Sequence, residues 1–368
     1  MGVQKIILNF ILTIESFIVS LFPIKSNKVT FVSLESDHLT SDLKLIYDQL
    51  NSNEFDIHLC LIKYHKDLWG QFLYFINCMK QLYFINTSKI VLLHDNNYVV
   101  SHFKRKGVTV IQVWHACGAI KKFGNVIKRE YPIANYDYAL ATSSFWQNAY
   151  SQAFSIPAAH VLPIGLPRTD ELFANDWLED RKNELYHKYP ILKDKQIILY
   201  APTFRGNIYK GFSAIPFDVL KIMKRLPENY VLLYKFHPLM GNYQLAEHER
   251  VFNMNHEDTH ALFSISDYLI SDYSSIVFDY MILEKNLLFF VPDLAEYSRT
   301  LGVFVDLNDL KCPICQNEDE LLNHILSNAY DNNHHMHELK NIFFNQQDGK
   351  STERVVEFMK EIVNDKGN

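Results

Sequence analysis

The sequence predicts an α/β chain of two successive Rossmann-like βα domains facing a cleft, preceded by an N-terminal amphipathic helix. Three observations predict it. Short Val/Ile/Leu-rich runs alternate with helix-length segments, which implies parallel strands joined by crossovers. The alternation stops at a polar stretch, 168–184, and then starts again. Residues 3–22 are almost wholly apolar except for one polar stripe. A chain of 368 residues suits two domains at roughly 150 residues each. The expected division is an amphipathic membrane-docking helix in 1–27, a first domain in 28–180, and a second in 181–368 that includes a closing helix at 352–363. Two such domains with a long last helix correspond to a GT-B-like architecture, although composition alone does not separate it from other two-domain α/β enzymes.

On a helix, Lys5, Asn9, Thr13, Ser16 and Ser20 fall on one stripe, and the other positions are nearly all Ile, Leu, Phe and Val apart from Glu15. No small-residue cleavage site follows, so a secretory signal is not expected. Glu15 and the stripe argue against a membrane span and for a helix lying in the membrane surface. The alternative is a helix packed on the protein's own core. Residues 67–85 repeat the pattern, with Gly70, Tyr74, Asn77 and Gln81 on the stripe and Trp69, Phe72, Phe75, Ile76, Met79 and Tyr83 mostly off it. Such aromatic density suits a water–lipid boundary. Strands are expected at 28–34, 56–62, 89–94, 108–114, 138–142 and 160–165, then at 196–201, 230–236, 268–271 and 287–291.

The composition, 48% hydrophobic and 21% charged, excludes a disordered chain. A net charge of −6 argues against a nucleic-acid binder. Basic clusters at Lys104-Arg105-Lys106, Lys121-Lys122 and Lys128-Arg129 leave an anionic membrane or phosphate partner for the first half. Five cysteines form no disulfide framework, and a reduced cytosolic chain follows. Cys312-Pro-Ile-Cys315 is a lone pair that would need two more ligands, for which the polar run with His334, His335 and His337 is a poor source. No metal and no cofactor are expected.

Four stretches carry chemistry, each where a strand ends, which is where open α/β sheets bind ligands. His115, in Gln112-Val-Trp-His-Ala-Cys-Gly-Ala-Ile-Lys-Lys-Phe-Gly124, follows a strand, precedes the small-residue turn Gly118-Ala119, and has a side chain suited to general-base work. In Tyr200-Ala-Pro-Thr-Phe-Arg-Gly206, Pro202 stops the strand, Thr203 offers a hydroxyl and Arg205 a phosphate-binding fork. In Tyr234-Lys-Phe-His-Pro238, Lys235 and His237 share one side of an extended chain as a positive pair for a diphosphate. In Ile270-Ser-Asp-Tyr-Ser-Ser-Ile-Val-Phe-Asp-Tyr280, Ser274 or Ser275 can cap a helix that attracts phosphate, and Asp279 can accept from a sugar or glycerol hydroxyl. Each signal alone also reads as a capped turn, a strand end or a structural histidine.

Taken in order, W-H-x-x-G, G-L-P-R-x-D, P-T-F-R, K-F-H-P and S-D-Y-S-S-x-x-F-D resemble the CDP-glycerol glycerophosphotransferases of wall teichoic acid synthesis, from about Val29 to the last helix. The resemblance implies a GT-B fold, CDP-glycerol bound mainly by the second domain, and peripheral docking on the cytoplasmic face of the cell membrane. It carries the motif histidine onto His115, with its turn at Gly118 and Ala119, and the motif arginine onto Arg168. Pro202, Thr203, Lys235, Phe236, His237, Ser274, Ser275 and Asp279 match its donor-binding positions, and Gly118, Ala119, Arg168 and Arg205 are expected to contact CDP-glycerol with them. Where polymerases of the family read W-H-G-T-P, this chain reads Trp114-His115-Ala116-Cys117-Gly118, closer to the primase branch. That branch implies an undecaprenyl-diphosphate-linked N-acetylmannosaminyl-N-acetylglucosamine acceptor that receives the first glycerol phosphate as CMP leaves. His115 would take the acceptor proton, with Lys235, His237 and Arg205 balancing charge. The sequence leaves open whether His115 and His237 exchange roles, and whether the chain forms a homo-oligomer. Rival readings are a polymerase, a CDP-ribitol-using relative, a UDP-sugar glycosyltransferase and an inert membrane scaffold.

Overall fold

The protein was analysed as a computed structural model that describes residues 3–64, 67–207, 211–241, 243–295, 302–327 and 332–365. The first two residues of the expected N-terminal helix and the last three of the chain lie outside the described residues.

Both predicted βα series form all-parallel sheets. The first contains β1 (Lys25–Ser33), β2 (Asp56–Leu61), β3 (Ser88–Leu93), β4 (Thr109–Gln112), β5 (Tyr138–Leu140) and β6 (Val161–Leu162), in the order β2-β1-β3-β4-β5-β6. The chain then adds β7 (Gln196–Tyr200), a small antiparallel pair β8 (Arg205–Asn207) and β9 (Gly211–Ser213), β10 (Tyr230–Tyr234), β11 (Val251–Asn253), β12 (Tyr268–Ser271), β13 (Asn286–Phe290) and β14 (Ile314–Cys315). The second sheet runs β11-β10-β7-β12-β13-β14. Two Rossmann-like units of this kind make the GT-B-like composition expected from the sequence. All ten predicted strands are present. The unforeseen ones are edge strands and the β8–β9 pair, two or three residues each, too short for a periodic signal.

The chain divides into two compact units. One takes Met1–His115, Phe123–Asp170 and Phe344–Asn368; the other takes Ala116–Lys122 and Glu171–Phe343. This division differs from the expected one at two places: it turns at Asp170 where 180 was expected, and it groups the closing helix (Ser351–Asn364) with the first unit. The G-L-P-R-x-D motif explains why. Gly165 sits at φ 96°, and a Cβ there would lie 2.2 Å from Ser351 Oγ, so only glycine lets the helix come this close. Asp170 then accepts from the backbone N–H groups of Ser351 and Thr352, both at 2.8 Å, and from Thr352 Oγ1 at 2.6 Å. It caps a helix whose own N-cap residue, Lys350, makes no side-chain capping bond.

Two helices of the first unit are turned inside out. In Val3–Val19, Asn9 accepts a hydrogen bond from Tyr98 Oη, Lys5 Nζ lies over the Tyr98 ring at 5.6 Å, and Glu15 and Ser16 are partly buried. The apolar Ile6, Ile7, Phe10, Ile14, Phe17 and Ile18 are exposed, Phe17 by 72%. The packed helix Leu68–Asn86 does the same. Asn77 and Gln81 are buried, whereas Leu68 is 82% and Trp69 66% exposed. Most of the apolar face therefore points out while Lys5, Asn9, Glu15 and Ser16, and Asn77 and Gln81 in the second helix, turn toward the protein; Thr13 and Ser20 are exposed, and Leu12 and Val19 are buried. No described helix is long and apolar enough to cross a membrane.

Candidate active site

In the first unit, the strand order reverses between β1 and β3, the switch point at which sheets of this type bind ligands. His94 and Asp95 follow β3 there, and Asp95 Oδ2 accepts from the Leu34 backbone N–H at 2.6 Å, tying the two strand ends together. Burial pushes the Asp95 carboxyl up to about 7. His115 is exposed just beyond β4 and its Nδ1 lies 3.0 Å from the His94 carbonyl oxygen. A carbonyl can only accept, so Nδ1 carries the proton and the neutral ring keeps its lone pair on Nε2. That is the tautomer a general base needs.

Trp114 holds this histidine at a cost. It sits at φ 60°, which for a bulky residue is strained by roughly 1–3 kcal/mol. Its ring packs on His115 at 4.0 Å and stacks on Phe123 at 4.5 Å. Gly124, at φ 65°, must be glycine, since a Cβ would lie 2.2 Å from the Ala153 carbonyl oxygen. Arg168 adds the second restraint. Its Nη1 donates to the His115 carbonyl at 2.8 Å, while its backbone N and Nε donate to the two oxygens of Asp42 at 2.8 and 2.7 Å. Asp42 is 0% exposed, so the pair is a buried one.

In the second unit, three motifs follow three neighbouring strands, β10-β7-β12, and meet at their carboxyl ends. Pro202 is buried. Thr203, after β7, donates from its backbone N to Asp272 Oδ1 at 2.8 Å, and its Oγ1 lies 3.1 Å from Asp272 Oδ2. Arg205 bridges two carboxylates, with Nη1 donating to Asp272 at 2.8 Å and Nε to Asp293 at 2.6 Å. Burial works against its charge, but the two carboxylates outweigh it and keep the guanidinium protonated. Lys121 Nζ donates to Thr203 Oγ1 at 3.1 Å, and burial brings its ammonium down to about 8 despite Asp272. The β7–β12 boundary is this sheet's switch point, and these groups surround it.

His237 caps the 3₁₀ turn Pro238–Met240, its Nδ1 accepting from the Leu239 N–H at 3.2 Å. In the neutral ring the proton is therefore on Nε2, the opposite tautomer to His115. The ring lies edge-on to Phe204 at 5.0 Å, so the P-T-F-R and K-F-H-P motifs touch. Other predicted positions are placed differently from expectation. Lys235 Nζ donates to the carbonyls of Asn255 and Glu257 at 3.1 and 2.6 Å, and burial lowers its pKa. Phe236 is 5% exposed within the core, so its ring is not presented to a ligand. Its K-F-H-P neighbours mark a strand end, and the alternation of β10 carries Phe236 inward. Gly118 and Ala119, in the turn after His115, are buried. Ser275 stands at the N-cap of Ile276–Met281 without making a capping bond, and Ser274 and Ser275 are both partly exposed.

Asp279 is buried, with Cys117 Sγ 2.8 Å from its Oδ1. His260, which the motifs did not mark, sits between two carboxylates. Its Nδ1 is 2.6 Å from Glu171 and its Nε2 is 3.6 Å from Asp279. Burial disfavours the imidazolium, but Asp279 and Glu171 overcome it and raise the pKa to about 9. An unfolded histidine titrates near 6.5. The folded value is raised, so this contribution is full below pH 6.5 and is lost as pH rises through 9, a change of about 3 kcal/mol. Thermal melts from pH 6.5 to 9 should show this fall, and His260→Gln should flatten it. An unaltered slope in the variant would refute the clamp.

Neither the Cys312/Cys315 pair nor the histidines beyond it build a metal centre among the described residues. His335 contacts the Leu310 carbonyl and His337 contacts Glu284, while the His334 side chain lies outside the described residues.

Residues 14–361 match the family described as CDP-glycerol:poly(glycerophosphate) glycerophosphotransferase. The chain is 32% identical over 362 residues to the teichoic acid ribitol-phosphate primase of Bacillus spizizenii strain W23, covering 92% of each chain. It is also 32% identical over 268 residues to the teichoic acid glycerol-phosphate primase of Bacillus subtilis strain 168, covering 68% of each. Among solved structures, the wall teichoic acid polymerase TagF aligns with a TM-score of 0.72 at 21% identity, over 99% of this chain and 98% of that one, a likeness of fold. With its motifs gathered at the strand ends of two Rossmann-like units and the family match running nearly end to end, the chain belongs to the CDP-glycerol:poly(glycerophosphate) glycerophosphotransferase family.

Proposed function

We propose that the protein is a primase that moves one glycerol phosphate from CDP-glycerol to a hydroxyl of an undecaprenyl-diphosphate-linked N-acetylmannosaminyl-N-acetylglucosamine, at the cytoplasmic membrane face. The observation that carries the reading is the His115 tautomer, fixed by the His94 carbonyl with the lone pair on Nε2. The acceptor oxygen attacks the phosphorus that bears glycerol, and its proton passes to His115 Nε2. The bond from that phosphorus to the bridging oxygen breaks, and CMP leaves with the oxygen. His237, with its proton on Nε2, donates to the departing phosphate, and Lys121 supplies positive charge beside Thr203, whose partner Asp272 is held by Arg205. The hydroxyls of Ser274 and Ser275 contact the diphosphate. Arg168 is assigned to positioning His115 and Lys235 to shaping its loop, because their donors are directed at protein groups.

The inside-out helices support peripheral docking, since two exposed aromatic and aliphatic faces are costly in water and suited to the lipid boundary. Mutual coverage of 92% with a primase supports the primase branch. That same relative is named for ribitol phosphate, which favours CDP-ribitol as the second reading for the donor. The deciding experiment incubates purified protein with CDP-glycerol or CDP-ribitol and a disaccharide-diphosphate acceptor, reading CMP release and product mass. One added glycerol phosphate is expected. A ladder of additions would make the enzyme a polymerase, and turnover with CDP-ribitol alone would overturn the donor.

A further inference from the structure

The first unit contains a cavity of about 660 Å³ between the two inside-out helices. This is within the roughly 300–1,000 Å³ range of small-molecule sites. Its walls are apolar and aromatic, with Leu8 from Val3–Val19 and Phe72 and Phe75 from Leu68–Asn86 among them. Ile7, Leu68 and Phe72 line the cavity and also belong to the exposed apolar surface, so the cavity opens onto the face proposed to meet lipid. Part of the lining is polar. Lys5 and Tyr131 belong to it, with Lys5 Nζ 5.9 Å from the Tyr131 ring centroid, and the exposed Glu130 lies beside them. Arg129, the next residue, has an Nε that is inaccessible to solvent and has no hydrogen-bond partner among the described residues. Tyr131 Oη reaches the Asn96 carbonyl at 3.5 Å, two residues past His94, whose own carbonyl holds His115.

From this we infer that the cavity receives the prenyl chain of the acceptor, entering from the membrane face, with Lys5 and Arg129 meeting the diphosphate that joins chain to sugar. The inference rests on the lipid-linked acceptor proposed above. An apolar cavity with Lys5 in its lining and Tyr131 reaching the loop that holds His115 matches a molecule that is hydrocarbon at one end and dianionic where the sugars begin. A bilayer surface alone needs an exposed apolar face but no cavity behind it. Lys5 and Glu130 are the charged residues of the lining, and Lys128 and Arg129 precede Glu130 in sequence, so the chain beside the cavity carries more positive than negative charge.

The test compares two acceptors with the same disaccharide diphosphate, one on a farnesyl chain and one on a short alkyl tail, with wild type, Leu8→Trp and Ile7→Trp. Leu8→Trp fills the cavity. Ile7 is half exposed at the mouth, so its indole can be placed without disturbing the core should the first variant not fold. Wild type is expected to favour the farnesyl acceptor, and the ratio of the two kcat/KM values should fall about tenfold in the variants. An unchanged ratio, or no preference in wild type, overturns the inference. Binding is read separately, as the rise in Tm caused by farnesyl diphosphate, expected in wild type and lost in the variants. That rise without CMP release from any acceptor would sink the proposed reaction but keep the cavity. No rise would sink the cavity whatever the turnover, and an equal rise with dodecyl phosphate would replace the prenyl chain by a linear lipid tail.

Discussion

His115→Ala is expected to lower turnover by about 10²–10⁴-fold, the scale of a lost general base. The effect should fall on kcat more than on the KM for CDP-glycerol, because the residues proposed to bind the donor belong to the other unit. The ring is restrained on three sides, by the His94 carbonyl at Nδ1, by the Trp114 ring, and by Arg168 at its backbone carbonyl. Such restraint is useful only if Nε2 must be presented in one direction. Near-normal turnover in a variant that melts like wild type would remove His115 from the mechanism. His237→Ala should also lower kcat, because its Nδ1 is engaged as an acceptor and its proposed part is to donate from Nε2 to the departing phosphate.

Arg168→Ala should destabilise the first unit by about 3–5 kcal/mol, because it leaves the carboxylate of Asp42 buried without its partner. For a unit of this size that is roughly 10 °C in Tm. Arg168→Lys separates structure from catalysis. It keeps a charge for Asp42 but loses the fork that reaches both Asp42 and the His115 carbonyl, so Tm should partly recover while kcat stays low. The sequence assigns this arginine to the donor. A lysine variant with normal kcat and a raised KM for CDP-glycerol would restore that assignment and remove the positioning role.

The strand ends were legible because buried parallel strands are continuous Val/Ile/Leu runs, and the motifs lie immediately after them, as at Tyr200 and Ser271. Thr203 and Arg205 were visible as phosphate-type groups. Asp293, which pairs with that arginine, lies 88 residues away in sequence and carried no local signal. His260 was missed because it stands outside every motif and holds its charge through Asp279, 19 residues later, and Glu171, 89 residues earlier. Phe236 shows the opposite case: it stands inside a motif, yet its ring is buried in the core because strand alternation turns it inward.

By itself the sequence determined two parallel βα series, two amphipathic segments with polar stripes, and the family, since all of these are written in local periodicity or in short ordered motifs. Tertiary structure alone decided which way each stripe faced, which histidine tautomer was held, and where the last helix packed. Those outcomes depend on partners far along the chain: Asn9 meets Tyr98 across 89 residues, Arg168 meets Asp42 across 126, and Asp170 meets Ser351 across 181. A hydrogen bond or a buried ion pair is settled by the geometry of both members, and only the folded chain brings the second member into place.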